Sequence, residues 1–247
     1  MKLLVDIGHH SRRPHEVFDS FALLAACACA AGHREEEYTA EIARWGATEQ
    51  RLFPKCFAVL VEAMDESPFH DFLGPVHMEL GSKSSQQWGG EFYTPPEINR
   101  VMARMTLGKI QVPEDRPISV CEPACGSGGM ILSVAEAFVE QGFTPLNLQA
   151  TCVDVSRLAT NMCYVNLTLS GIPAEVIHGN TLSNKSWGGW RTIFWPLAKG
   201  ASKLQHPILD RIKELLAVMP PEARTAAMEA VANAQGQYEL ALDEVAA

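Results

Sequence analysis

The residues best suited to chemistry form one octapeptide, Glu122–Gly129, which reads Glu-Pro-Ala-Cys-Gly-Ser-Gly-Gly. It follows the short apolar run Ile118–Cys121 and precedes the helix-type run Met130–Val139. A strand that passes through a glycine-rich turn into a helix surrounds a ligand with backbone N–H groups. Glycine is needed there for clearance and for positive φ angles. The octapeptide therefore predicts a ligand-binding loop.

Three ligands compete for this loop: a phosphate, a dinucleotide and S-adenosylmethionine. The Walker phosphate loop requires Lys followed by Ser or Thr, and the dinucleotide fingerprint requires G-x-G-x-x-G. The sequence has neither, since its glycines stand at 126, 128 and 129. Glu122 at the strand end disfavours a phosphate but suits the cationic amino group of a methionine moiety. The octapeptide as a whole therefore favours S-adenosylmethionine, although a plain glycine-rich turn explains the glycines alone.

Two further strand ends carry polar residues. Asp154 follows the run Leu148–Val153, and a carboxylate at the tip of a second strand is the usual partner of two ribose hydroxyls. A helix N-cap is an equally good interpretation of Asp154. A third strand, Ala174–Ile177, leads to Asn180. Upstream, the sequence from Thr94 to Glu97 predicts a helix start with an N-cap threonine.

The elements that position these residues are predicted by periodicity. Apolar residues recur at helical spacing from Pro14 to about Ser67, which predicts a helical amino-terminal unit. Between about residues 91 and 196, short β-type runs alternate with helical ones, which is typical of βαβ units and a parallel sheet. Periodic, Ala-rich segments after Pro196 predict further helices.

Composition limits the function classes. The chain has 247 residues and a net charge of −9, which disfavours strong binding to nucleic acid by charge alone. The longest apolar stretch, Phe21–Ala31, is shorter than the ~20 residues that span a membrane. The run Met1–Asp6 is too short for a secretory signal, so we expect a cytoplasmic protein without a membrane segment. Cys121 and Cys125 lack a second ligand pair, so we expect no metal site and interpret both as buried residues flanking a turn.

The octapeptide resembles the Asp-Pro-Ala-Cys-Gly-Ser-Gly-Gly motif of N6-adenine DNA methyltransferases, specifically the modification subunits of type I restriction-modification systems. Gly90–Pro95 resembles the Gly-Gln-Phe-Tyr-Thr-Pro element of that family, and Asp71–Gly74 resembles the segment before it. Asn166-Leu167 is similar to the family's Asn-Leu helix, and Gly179–Leu182 to its Gly-Asp-Thr-Leu, with Asn in place of Asp at 180.

The resemblance implies an α/β, Rossmann-like S-adenosylmethionine-dependent methyltransferase fold with a mostly parallel, truncated sheet and helices at both ends. It divides the chain into a helical region, 1–80, a cofactor-binding methyltransferase-like domain, 81–200, and a helical extension, 201–247. In the family, the Tyr-Thr-Pro element closes over the carboxylate end of the cofactor and the third-strand Asp binds its adenine amino group. An Asn amide oxygen can still accept that bond, so the substitution weakens the resemblance at this position without removing it. The implied cofactor-binding residues are Phe92, Tyr93, Thr94, Pro95, Glu122, Pro123, Gly126, Ser127, Gly128, Gly129, Asp154 and Asn180.

The resemblance ends at the catalytic motif. The family transfers the methyl group with Asn-Pro-Pro-Tyr or Asn-Pro-Pro-Phe after the fourth strand, where the aromatic ring stacks on the flipped base. The two Pro-Pro pairs of this chain, at 95–96 and 220–221, lack the preceding Asn and the following aromatic residue. At the expected position we predict an apolar fourth strand ending at Pro196. Phe194 or Trp195 could stack a base, and the catalytic residues remain unassigned.

Two hypotheses follow. The first is a DNA adenine N6-methyltransferase, or a compact subunit of one, that binds S-adenosylmethionine and contacts DNA through a partner specificity or methyltransferase subunit. The second is a catalytically degenerate methyltransferase that acts as a regulatory or anti-restriction binding module. A metabolic methyltransferase is a weaker third, because the Phe-Tyr-Thr-Pro element points to the DNA enzymes.

Overall fold

The structure is a computed structural model that describes residues 7, 13–80 and 94–200, all within one compact unit. The loop 81–90, Phe92, Tyr93 and the predicted carboxy-terminal helices lie outside the described residues. No described helix is long and apolar enough to cross a membrane. The helices are α1 (Pro14–Cys29), α2 (Glu35–Ile42), α3 (Ala47–Glu66), α4 (Leu73–Leu80), α5 (Pro96–Leu107), α6 (Gly129–Glu140) and α7 (Arg157–Leu169). The strands are β1 (Ile118–Glu122), β2 (Leu148–Asp154), β3 (Ala174–Asn180) and β4 (Lys185–Arg191).

The first three helices form where apolar residues recur at helical spacing. Val17, Phe21 and Leu24 of α1 are buried, and so are Phe53 and Leu60 of α3. Helix α1 packs along α7, the helix that connects two strands of the sheet. The predicted helical nature of this part of the chain is confirmed, and its core is continuous with that of the sheet.

The sheet is built from two successive βαβ units. Strands β1, β2 and β3 lie side by side in chain order and are parallel, with Ile118 opposite Leu148 and Ala150 opposite Ala174. Right-handed crossovers that step in one direction place both connecting helices, α6 and α7, on the same face. Alternate residues of β2, such as Ala150, are accordingly buried, and those between them are partly exposed. The predicted α/β class with a mostly parallel sheet is confirmed.

The prediction of a fourth strand ending at Pro196 is wrong. The observed strand β4 lies at Lys185–Arg191, forms a hairpin antiparallel to β3, and precedes a 3-10 turn at Trp195–Leu197. A tight turn reverses the chain, with Asn184 at φ +52°, a conformation that asparagine tolerates well. Thr192 ends the pairing, since its buried hydroxyl donates to Ile172 O and accepts from Ala174 N–H. The apolar run after Thr192 therefore lies beyond the strand.

Candidate cofactor site

The glycine-rich loop is fastened to the carboxyl end of β2. The Cys125 N–H donates to Val153 O at 2.9 Å, and the Gly126 N–H donates to Asp154 Oδ2 at 2.8 Å. Gly126 has φ +53° and Gly128 has φ +89°, values that L-residues rarely adopt. The loop and the second strand end are therefore one rigid assembly, in agreement with the predicted strand, turn and helix.

Two of the loop glycines are explained by close packing. A Cβ on Gly128 would lie 3.0 Å from the Sγ atom of Cys163 in α7. A Cβ on Gly129 would lie 2.9 Å from Nδ2 of Asn99 in α5. The glycines at 128 and 129 thus let helices α7 and α5 approach the loop from two sides.

Helix α6 begins at Gly129 without a side-chain cap. The first N–H groups of a helix have no partner within the helix, and they carry the positive end of its dipole. Because Gly128 and Gly129 have no side chain to cover them, this helix end suits an anionic group such as a carboxylate.

Glu122 ends β1 beside the loop. Its Oε1 accepts from the Ala124 N–H at 3.4 Å, a weak bond. Partial burial raises the pKa of the Glu122 carboxyl, and the negative charge of Asp154 adds to the effect. A cation bound beside Glu122 would lower this pKa again, because an opposite charge favours the ionised carboxylate.

Of the two roles that the sequence left open for Asp154, helix N-cap is wrong. The Oδ1 atom of Asp154 accepts from the Ser156 N–H at 2.8 Å, while Ser156 itself is the N-cap of α7 and accepts from the Ala159 N–H. Asp154 is therefore not the N-cap. It joins the start of α7 to Gly126 of the loop, and its remaining oxygen lone pairs can accept further hydrogen bonds.

Asn180 lies at the carboxyl end of β3, and its side-chain oxygen already accepts from the Ser183 N–H at 3.0 Å. The next residue, Thr181, donates its hydroxyl to Pro123 O at 2.7 Å. This bond links the end of β3 to the start of the glycine-rich loop. The three parallel strands thus place their polar ends at one edge, as predicted.

Asp71 was not among the predicted site residues, yet it is hydrogen-bonded to Ser127 of the loop. Its carboxylate accepts from the Ser127 hydroxyl and, at 2.9 Å, from Nδ2 of Asn166. The same Nδ2 donates to Ser127 O, and the Gly74 N–H donates to Asp71. The Asp71–Gly74 and Asn166-Leu167 resemblances were signals that could have identified this network.

Thr94 and Pro95 border a cleft of about 160 Å³ with Asp71 and Gly129. Pro95, and not Thr94, is the N-cap of α5, because Pro96 occupies the first helical position. Thr94 instead offers its carbonyl oxygen to Nδ2 of Asn99, at 3.2 Å. The cleft is smaller than the ~300 Å³ of a typical small-molecule pocket. It can hold one end of an extended ligand, and Glu122, Asp154 and Asn180 are not among its lining residues.

The two cysteines near the loop differ from each other. Cys125 is buried as predicted, but Cys121 is exposed because it lies on the less covered face of β1. Within the described part of the chain, no group of His, Cys, Asp or Glu residues is arranged to hold a metal ion.

Comparison with known proteins identifies a family that the central segment resembles. The family described as N-6 DNA Methylase matches residues 76–195. This confirms the predicted resemblance, and it implies S-adenosylmethionine as the cofactor.

Two curated relatives of the methylase segment are subunits of type I restriction enzymes. The MpnII methylase subunit of Mycoplasma pneumoniae is 28% identical over 121 residues, which is 48% of this chain and 20% of that protein. The MjaIX methylase subunit of Methanocaldococcus jannaschii is 27% identical over 88 residues, which is 36% of this chain and 14% of that protein. The chain therefore spans about a fifth or less of the length of either relative.

Among solved structures, the chain is similar to that of a protein described as a class I S-adenosylmethionine-dependent methyltransferase from Listeria monocytogenes. It shares 16% sequence identity and a TM-score of 0.41, and covers 74% of this chain and 53% of that one.

The residues around the glycine-rich loop fit S-adenosylmethionine, the cofactor that the family match implies. The uncapped end of α6 suits the carboxylate of its methionine part, and Glu122 suits the ammonium group. The oxygens of Asp154 suit ribose hydroxyls, because they are acceptors and lie at a strand end. The donor and acceptor chemistry of the site therefore matches both ends of the molecule.

Proposed function

We propose that the chain binds S-adenosylmethionine across the carboxyl ends of β1, β2 and β3 and is the cofactor-binding part of an adenine N6-methyltransferase acting on DNA. The observation that carries the proposal is the Gly126 N–H to Asp154 bond of 2.8 Å, which builds the glycine-rich loop and the ribose acceptor into one assembly. The similarity to type I methylase subunits supports DNA as the substrate.

The proposed roles follow from position. Thr94 and Pro95, which border the cleft beside Gly129, close the methionine end of the cofactor. The sequence resemblance gives Phe92 and Tyr93 the same role. Glu122 accepts from the ammonium group. Pro123, Gly126, Ser127 and Gly128 shape the loop, and Asp154 holds the ribose. Asn180 accepts from the adenine amino group through its second lone pair.

The partner requirement rests on the segment that comes after β3. In the described residues, β3 continues into the antiparallel strand β4, and the segment Ile193–Trp195 beyond that strand offers no amide side chain to hold a target amino group. With a net charge of −9, the chain also has weak electrostatic attraction to DNA. We propose that a partner methyltransferase or specificity subunit supplies the acceptor group and the DNA contacts.

The lack of an amide side chain in Ile193–Trp195 also favours a second function. In that function the chain is a degenerate methyltransferase that binds the cofactor and acts as a regulatory or anti-restriction module. The two functions differ in methyl transfer. Transfer of a labelled methyl group from the cofactor to adenine in unmethylated DNA, measured with and without a type I specificity subunit, separates them. Binding without transfer in every mixture would support the module.

Cofactor binding is tested by calorimetry with S-adenosylmethionine on the wild-type chain and on Asp154→Ala. Loss of hydrogen bonds to a charged group is worth about 1.5–3 kcal/mol, which corresponds to an affinity roughly 10- to 150-fold weaker. Asp115→Ala is the matched control, because Asp115 is exposed on the loop before β1. Equal affinities of the Asp154 and Asp115 variants would place the ribose elsewhere.

A further inference from the structure

The cleft that Thr94 and Pro95 border is also lined by polar side chains to which the proposed function gives no role. Arg100 of α5 and Ser133 of α6 both line it, together with Gly129, the first residue of α6. Ser133 lies about one helical turn after Gly129, so the two residues share the face of α6 that borders the cleft. The beginning of one helix and a cationic side chain from another therefore form the walls of the cleft.

Ser133 is a buried polar residue whose hydroxyl has no hydrogen-bond partner in the part of the chain that the structure describes. The residue is 6% exposed. A hydroxyl inside a helix can donate to the carbonyl four residues earlier, as Thr168 of α7 does to Tyr164 O at 2.7 Å. Ser133 makes no such bond. Buried hydroxyls are nearly always hydrogen-bonded, so an unpaired one that lines a cleft points to a ligand there.

Arg100 adds a positive charge to the same cleft. Its Nε donates to Oε2 of Glu136 in α6 at 2.9 Å, and its side chain is 31% exposed. A guanidinium has five N–H donors in a planar fork, and this ion pair uses one of them. Arg100 can therefore donate from its Nη groups to an anion in the cleft while Glu136 holds the guanidinium in position.

A carboxylate, that of Asp71, also lines the cleft. Its oxygens already accept from the Ser127 hydroxyl, from Nδ2 of Asn166 and from two backbone N–H groups at the start of α4. Four donors thus compensate its negative charge. Because Arg100 and the first N–H groups of α6 supply positive charge, the cleft as a whole suits an anionic group.

We propose that Arg100 and Ser133 bind the carboxylate of S-adenosylmethionine in this cleft and make the site selective for ligands that carry this group. Arg100 donates from its Nη groups, and Ser133 donates from its hydroxyl. A bond between a guanidinium and a carboxylate is the stronger of these two kinds. A cleft of about 160 Å³ admits the amino-acid end of the cofactor, while its adenosine lies at the ends of β2 and β3. The inference rests on the proposed function, because it assigns residues to one end of the same ligand.

The test compares two ligands that differ in a single group. Calorimetry on the full chain measures the affinities of S-adenosylmethionine and of decarboxylated S-adenosylmethionine, which keeps the sulfonium, ammonium and adenosine groups. The wild-type chain should bind the decarboxylated ligand at least about tenfold more weakly, since loss of one hydrogen bond to a charged group has an effect of this order.

Variants assign the difference to the two residues. Arg100→Gln should weaken S-adenosylmethionine binding by about 10- to 150-fold and leave binding of the decarboxylated ligand unchanged. Ser133→Ala should have a smaller effect in the same direction, because it removes a single neutral donor. Arg104→Gln is the matched control, since Arg104 lies one turn later on α5, donates from Nε to Glu140 at 3.1 Å and is not among the residues that line the cleft. Both affinities should be unchanged in this control.

The possible failures are distinguishable. Equal affinities of the two ligands for the wild-type chain, or an equal loss of both in Arg100→Gln, would overturn the inference and leave the proposed function standing. A wild-type chain that binds neither ligand would refute the proposed function and the inference together. Urea denaturation shows whether each variant folds. If Arg100→Gln does not fold, Ser133→Ala decides, because alanine is the best helix former at that position; unchanged S-adenosylmethionine affinity in Ser133→Ala would then overturn the inference.

Discussion

Substitution of Gly128 by alanine tests whether this glycine serves backbone conformation alone or also the approach of α7. Gly128 has φ +89°, and a Cβ there would lie 3.0 Å from Cys163 Sγ. Gly142, at the end of α6, has a similar φ of +83° and no atom within 4 Å of the added Cβ. The two glycines differ in their surroundings and share their conformation, so Gly142→Ala is a matched control.

The expected magnitudes follow from these two contributions. A left-handed conformation costs an L-residue about 1–2 kcal/mol, which both variants should lose from the free energy of unfolding. Overpacking of a filled interior costs about 1–3 kcal/mol more, which applies to Gly128→Ala alone. We therefore expect a loss of about 2–5 kcal/mol at Gly128 and about 1–2 kcal/mol at Gly142.

The assay is urea denaturation followed by circular dichroism, with a double-mutant cycle to Cys163→Ala. Removal of the Cys163 sulfur relieves the contact, so Gly128→Ala in that background should cost only about 1–2 kcal/mol, as at Gly142. Equal losses at Gly128 and Gly142, or no coupling between Gly128 and Cys163, would refute the close-packing explanation.

Three further predictions concern groups around the loop. Asp71→Ala should lower the free energy of unfolding by about 1–3 kcal/mol in urea denaturation, because it leaves buried Asn166 with one fewer acceptor; an unchanged midpoint would contradict the network. Ser156→Ala should cost about 0.5–2 kcal/mol through loss of the N-cap of α7, and a change near zero in the same assay would argue against capping. Because the pKa of Glu122 is raised in the folded state, its ionised form costs stability above that pKa, so Glu122→Gln should unfold at higher urea at neutral pH. Wild-type cofactor affinity, measured by calorimetry, should weaken as pH falls through that raised pKa, and the Gln variant should lose this dependence.

The sequence was sufficient to predict the parts of the fold that local pattern determines. Strands β1 and β2 and helix α6 lie within about one residue of their predicted bounds, and β3 begins where predicted, because apolar runs and the glycine-rich loop bracket them. The burial of Val17 and Phe53 agrees with the helical spacing of the apolar residues between Pro14 and Ser67. The gathering of Glu122, Asp154 and Asn180 at one edge followed from parallel strands in chain order.

The rest depends on contacts between residues far apart in the chain. The start of β4 at Lys185 is not visible as an apolar run, since the strand contains Gly188 and Gly189, and its direction is fixed by the turn before it. Thr192, the residue after β4, donates its hydroxyl to Ile172 O, which lies 20 residues earlier in the chain. Periodicity carries no information on such partners. The Ser127 contact with Asp71 spans 56 residues and is equally invisible to local pattern.

The contact between Asp71 and the loop has a practical meaning for work on shorter chains. A fragment starting at residue 81 would keep every loop residue of the octapeptide but would lose the carboxylate that accepts from Ser127 and Asn166. It would also lack Leu73, which is 3% exposed in the folded chain, and would uncover the apolar core residues packed around it. Residues 71–74 therefore belong in any minimal fragment meant to retain the loop's conformation, and a boundary drawn at the polar segment 81–90 would cut the site from part of its own support.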